Sequence, residues 1–157
     1  MSREAPAGPP GHVTVVIVHY DTPQLLPRCL EALAANGGEA VTATVVVDNA
    51  LPGHGAATAM AGHPAARLVS AGRNLGFAAG VNLGMRTCPA ESYLLLNPDA
   101  QLLPGALPAL LACMADHARA GVVAPRLHNP DDSLQWSCRR FPTVLAVLLR
   151  ALRLLEV

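Results

Sequence analysis

The sequence predicts an α/β domain built on a mostly parallel sheet with helices on both faces. Continuous β-branched runs, "VTVVIV" at Val13–Val18 and "TVVV" at Thr44–Val47, have the composition of strands buried on both faces. Between them, apolar residues return at helical spacing, at Leu26, Cys29, Leu30 and Leu33. Strand-like and helix-like segments then alternate along the chain. That alternation requires crossover connections, and hence parallel neighbours.

In chain order, Met1–Gly11 reads as a disordered leader, because its Pro and Gly residues cannot bury enough surface to offset ordering. The first strand stops at His19-Tyr20-Asp21. Thr22 and Pro23 then give an N-cap and a proline at the first helical position, and Pro27 should distort the first turn. Asn36-Gly37-Gly38 ends that helix. The second strand ends on Asp48-Asn49, and a Gly/Pro loop, Leu51–Gly55, leads into the Ala-rich segment Ala56–Ala61. Arg67–Ser70 is a short third strand, followed by "AGRNLGFAAGVNLGMR". Tyr93–Leu96 is a fourth, and Leu103, Leu107, Leu110, Leu111 and Met114 mark the next helix. Gly121–Ala124 has the look of a fifth strand. The domain is expected over 12–143, with an apolar helix over 144–157. Arg150, Arg153 and Glu156 form one narrow polar stripe on that helix. A helix this apolar is to be buried against its own domain, another chain or a membrane surface.

Composition bounds the function. A chain of 157 residues supports one domain with a real core, and 52% hydrophobic against 14% charged residues means much of it is buried. Aromatics at 3% leave few platforms for base stacking, and a net charge of +0 argues against a nucleic-acid binder. Cys29, Cys88, Cys113 and Cys138 are scattered without a C-x-x-C pair, which fits reduced thiols in the cytoplasm. There is no secretory h-region, and no run reaches the roughly 18 apolar residues of a membrane span. A cytoplasmic protein is expected, with the C-terminal helix allowing a peripheral place on the inner face of the membrane.

In sheets of this kind ligands bind outside the carboxyl ends of the strands. Here those ends carry His19 and Asp21, Asp48 and Asn49, Arg73 and Asn74, and Asn97 and Asp99. One Asp or Asn in such a place is ordinary turn chemistry. The whole set at one edge describes a polar cleft. Several familiar sites do not fit it. "HYDTPQ" after the first strand lacks the G-x-G-x-x-G of a dinucleotide fold, and a P-loop is absent, as is any Lys. No Ser sits in a G-x-S-x-G elbow, and the six His residues include no H-x-x-x-H pair for zinc.

The blocks "VTVVIVHYDTPQLLPRCLEAL", "VVVDNA", "GRNLGFAAGVNLGMR", "YLLLNPDAQLLPGAL" and "GVVAPRLHNPDDSLQWSCRRFPT" resemble, in order, those of family 2 glycosyltransferases. The likeness is to the rhamnosyltransferase-like branch. It covers nearly everything from Val13 to Thr143. The resemblance implies the Rossmann-like GT-A nucleotide-diphospho-sugar transferase fold and a donor linked to UDP or dTDP. It implies that Asp48 accepts hydrogen bonds from the uridine or thymidine part of the donor. Tyr20 and the backbone around His19 and Asp21 would line base and ribose. The family's first block usually reads Asn-Tyr-Asn, so His19 and Asp21 depart from it. Arg73 and Asn74, with the Gly76-Phe77 turn, would start a helix whose free N–H groups suit an anion. Asn82 would pack toward the site. Gly80 and Gly84 serve either the site or simple close packing.

"NPD" at Asn97-Pro98-Asp99 stands where this fold carries its metal-binding D-x-D, with Asn97 replacing the first acid. The resemblance implies that Asp99 holds a Mg²⁺ or Mn²⁺ neutralising the leaving diphosphate; the alternative is a turn residue. With one carboxylate, the metal should bind weakly until the donor supplies its oxygens. An inverting transfer also needs a base for the acceptor hydroxyl. In the family that base lies in a later acidic block, which is not found before Val157, so the catalytic residues are unknown. Asp131 and Asp132 read as a hairpin turn. The expected fold therefore lacks its C-terminal acceptor-side part. The leading function is sugar transfer, rhamnose being one candidate, to a glycan or lipid-linked acceptor. A non-catalytic nucleotide-binding remnant or partner subunit is the alternative. A nucleotidyltransferase would need a Gly-rich activation loop that "HYDTPQLLPR" does not supply.

Overall fold

A central strand, β1 (Val13–His19), is buried along its whole length, as its β-branched run requires. It pairs in parallel with β2 (Val41–Asp48) on one side, from Val13↔Val41 to His19↔Asp48. Beyond β2 the chain forms, among other elements, α2 (Ala56–Ala59), β3 (Ala66–Ser70) and, later, β4 (Ser92–Leu95). β3 pairs in parallel with β2, and β4 with the other side of β1, giving the order β3-β2-β1-β4. The computed structural model describes residues 12–51, 53, 55–137 and 152. The expected leader over 1–11 and, apart from Leu152, the expected helix over 144–157 lie outside these residues.

Side chains alternate across β1 with the period of two that a strand imposes. Val13, Val15 and Ile17 enter a core with Leu26, Cys29, Leu30 and Leu33 of α1 (Leu26–Asn36), joined by Met60, Leu102 and Leu107. Val16 and Val18 face the opposite way, under α3 (Phe77–Thr87). There Gly80 and Gly84 bring the helix backbone onto the sheet. A Cβ on Gly84 would stand 2.6 Å from Val16 Cγ1, and one on Gly80 would stand 2.9 Å from Val18 Cγ1. Close packing is the reason for both glycines, and helices cover both faces.

Several boundaries differ from expectation. α1 begins at Leu26 rather than after Thr22; residues 22–25 make a turn in which Leu25 N–H reaches Thr22 O at 3.1 Å. Pro27 consequently falls in the first helical turn, where its missing N–H has no partner to lose, and no distortion is needed. The end is as read: Asn36 is the last residue, and Gly37 N–H bonds Leu33 O at 2.8 Å. β4 runs over Ser92–Leu95, one residue ahead of the expected Tyr93–Leu96, and is half-buried to exposed, because among the described residues it is an outer strand. In α4 (Ala106–Asp116) only Leu107 is fully buried; Leu103 precedes the helix and is exposed. Gly121–Ala124 forms no strand: Val122 is 86% exposed, and an apolar run without a ladder partner has nothing to pair with.

The chain divides into two compact units, Met1–Val123 and Ala124–Val157. The second holds a short antiparallel hairpin, β5 (Leu127–His128) and β6 (Leu134–Gln135). Its turn contains Asp131 and Asp132, as the sequence suggests. Asp131 accepts hydrogen bonds from the N–H and hydroxyl of Ser133, and these hold its carboxyl below the usual range. Asp132 takes a left-handed φ of 62°. Both are turn residues.

Candidate functional site

All pairings in the four-stranded sheet are parallel, so its strands end at one edge. Asp48 and the Asn97–Asp99 segment therefore share that edge. From β1 the chain steps through β2 and β3 on one side, then returns to β4 on the other. The loops leaving β1 and β4 lie side by side at this edge, and a crevice lies between them. The cleft there has a volume of about 200 Å³. Val18, Tyr20, Thr22 and Leu25 line its β1 side, and Asn97, Pro98 and Asp99 its β4 side.

Tyr20 stands at the rim, 54% exposed. Asp21 follows with φ 52°, a left-handed conformation that a short polar side chain tolerates better than most, and it turns the chain sharply out of β1. Across the cleft Asp99 is exposed, as is Asn97. The turn carrying them rests on α1: Cys29 Sγ donates to Asn97 O at 3.5 Å. Burial, and after it the charge of Asp99, pushes the Cys29 thiol up to about 12.

Asp48 stands on the β2 side of β1, with its side chain 11% exposed. Its Oδ1 accepts from Ala50 N–H at 3.2 Å and lies 3.3 Å from His19 Nδ1. His19 is fully buried, and its Nε2 accepts Thr22 N–H at 3.2 Å. Its side chain is thus committed to the protein and cannot line a ligand as expected, because it ends a strand covered on both faces. Asn49 is corrected for the same reason. It is 2% exposed, its Nδ2 donates to Asn74 Oδ1 at 3.1 Å, and its Oδ1 accepts Leu75 N–H at 2.9 Å. Asn74 Oδ1 also accepts Gly76 N–H at 2.8 Å, so the pair pins the loop ahead of α3 to the sheet. Arg73 on that loop is exposed. Asn82 is exposed as well, instead of packing toward the site. It sits two residues from both Gly80 and Gly84, about 200° around the helix from the face they press on the sheet.

Residue-type patterns gave no hint of the Cys29 contact, which depends on where α1 crosses the β4 turn. The hydroxyl of Thr22 caps no helix, because the N-cap position of α1 is Leu25. It is buried without a hydrogen-bond partner among the described residues, while the Thr22 backbone N–H is the group that acts. Among the described residues no three His, Cys, Asp or Glu side chains come together, so they form no closed metal cage. One exposed carboxylate on the cleft does fit a divalent ion that takes its other oxygens from water and a ligand.

The chain as a whole has counterparts among known proteins. Two curated relatives, N-acetylglucosaminyl-diphospho-decaprenol L-rhamnosyltransferases of Mycobacterium tuberculosis strains CDC 1551 / Oshkosh and ATCC 25618 / H37Rv, are each 30% identical over 142 residues. The match covers 83% of this chain and 46% of each relative, so the chain spans less than half their length. Among solved structures, the mannosyltransferase PcManGT of Pyrobaculum calidifontis, in complex with GDP-Man and Mn²⁺, superposes with a TM-score of 0.59 at 22% identity. That alignment covers 73% of this chain and 36% of the mannosyltransferase. S. aureus TarS 1-349 gives a TM-score of 0.56 at 15% identity, covering 73% and 38%. These likenesses show the GT-A fold. With a model of glycosyl transferase family 2 matching residues 14–154, the chain belongs to that family.

Proposed function

We propose that this chain binds the nucleoside-diphosphate sugar for an inverting glycosyltransferase that acts on a lipid-linked acceptor, with dTDP- or UDP-linked rhamnose as the donor. The observation that carries the reading is the crevice at the switch between β1 and β4. It faces Tyr20 with Asp99, and Asp48 shares its edge. Tyr20 offers an exposed ring for the base or ribose. Asp48 offers a carboxylate acceptor for the base, whose imide N–H is a donor. Asp99 is placed for the metal that accompanies a diphosphate, and Mg²⁺ or Mn²⁺ would supply charge neutralisation of the leaving group when bound. The mycobacterial relatives support the sugar and the lipid-linked acceptor class, and the mannosyltransferase supports a divalent ion. A place on the inner face of the membrane belongs to the same proposal, because a lipid-linked acceptor is presented there. Among the described residues no helix is long and apolar enough to cross a membrane.

The test is a titration of ¹⁵N-labelled protein with dTDP-rhamnose and UDP-rhamnose in Mg²⁺. Amide shifts should concentrate at Tyr20, Thr22, Ala50 and Asp99. Saturable shifts confined to another part of the chain, or none at millimolar donor, would refute the reading.

A further inference from the structure

Two walls of the cleft edge meet in one buried ring. His19 is 0% exposed, and both its nitrogens are engaged. The partners fix its tautomer. Thr22 N–H is a backbone amide and can only donate, so Nε2 must present a lone pair. Asp48 as a carboxylate can only accept, so the ring proton sits on Nδ1 and points at Oδ1. Ala50 N–H fills a second position on the same oxygen. Among the described residues nothing donates to Asp48 Oδ2. One oxygen is thus anchored twice by the protein.

We propose that His19 is a positioning residue: its Nδ1–H orients the Asp48 carboxylate while its Nε2 holds the Thr22 turn, coupling the nucleoside-facing acid to the wall of the cleft. The proposal rests on the donor-binding reading for what Asp48 contacts, but the ring's state stands on geometry alone. No side chain that bonds at one point could do both jobs. Asn would place an amide donor at about the depth of Nδ1, reaching Asp48 but leaving Thr22 N–H unmet. Gln would reach the depth of Nε2 and serve Thr22, leaving Asp48 Oδ1 without its side-chain donor.

The test has two arms. Long-range ¹H–¹⁵N spectra of labelled protein, with His19 assigned by its loss in His19→Asn, report the tautomer directly. A protonated, pyrrole-type Nδ1 and an unprotonated, pyridine-type Nε2 are expected, and Asp48→Ala should shift both nitrogens. An Nε2–H tautomer, an imidazolium, or a ring indifferent to Asp48→Ala would overturn the proposal. The second arm titrates UDP and dTDP into wild type, His19→Asn and His19→Gln. Loss of an oriented hydrogen bond to a charged group predicts roughly tenfold or greater weakening in His19→Gln, with His19→Asn within about threefold of wild type. Equal weakening in both variants would reduce His19 to a packing role. If wild type shows the expected ring yet binds neither nucleotide, the proposed function falls while the bridge between Asp48 and Thr22 stands.

Discussion

Asp99 and Cys29 lie on either side of one turn, the acid exposed to the cleft and the thiol buried beneath. Asp99→Ala should weaken Mn²⁺-supported UDP binding by roughly tenfold or more while leaving uridine within about twofold, since only the diphosphate brings a metal to that carboxylate. Calorimetry showing equal losses for both ligands would assign Asp99 to the fold instead. The Cys29 thiol is pushed up from its ordinary 9.0 to about 12, first by burial and then by Asp99. The sign follows from which state ionises first. Above the ordinary value the unfolded chain loses this proton while the folded chain keeps it, so stability falls as pH rises from 9.0 toward about 12. Urea midpoints at about pH 8 and about pH 10 should therefore drop further for wild type than for Cys29→Ala. A drop of the same size in both would mean that burial of Cys29 does not reach its ionisation. At this scale the sequence was legible in kind rather than in role. His19, Asp48, Asn49 and Asn74 do stand at strand ends and loops of one edge. Which of them face outward depended on burial, and burial at a strand end is set by the neighbouring loops, which no local pattern encodes.

Helix α3 shows what an element can demand of single positions. Gly84→Ala sets two effects against each other. Helix propensity favours Ala by roughly 0.5–1 kcal/mol. Against it, a Cβ 2.6 Å from Val16 Cγ1 cannot be accommodated by a stiff β-branched residue in a fully buried strand. Overpacking of that kind typically costs about 1–3 kcal/mol, so the net change should be destabilising. Gly80→Ala, with its nearest contact at 2.9 Å, should cost less, and Asn82→Ala should stay within about 0.5 kcal/mol. Chemical denaturation of the three variants gives the order directly; a stabilised Gly84→Ala would show that the helix does not press on β1 as described. The strands β1 to β4 were each visible as apolar runs, and Leu26, Cys29, Leu30 and Leu33 marked the buried stripe of α1. The helix start was misplaced because Thr22-Pro23 carries the same local signal as a cap. Tertiary contact decided the matter: His19 takes Thr22 N–H, and the turn it holds delays the helix to Leu26. Gly121–Ala124 failed for a related reason, since an apolar run becomes a strand only where an open sheet edge receives it.

For the whole molecule, the alternation of strands and helices was enough to foresee a parallel sheet with a ligand edge. It was not enough to place the crevice. That position follows from the order β3-β2-β1-β4, which sends the chain to the far side of β1 after β3 and so sets the loops carrying Tyr20 and Asp99 side by side. The central claim is that this crevice, flanked by Asp48, receives a nucleoside diphosphate with its metal. Isothermal titration of the chain with UDP and with dTDP, with and without Mn²⁺, tests it most directly. Saturable binding is expected for at least one of the two, strengthened by Mn²⁺, with the metal's contribution lost in Asp99→Ala and the affinity itself reduced roughly tenfold or more in Asp48→Ala. Binding indifferent to Mn²⁺ and to both substitutions, or no binding of either nucleotide at millimolar concentration, would contradict it.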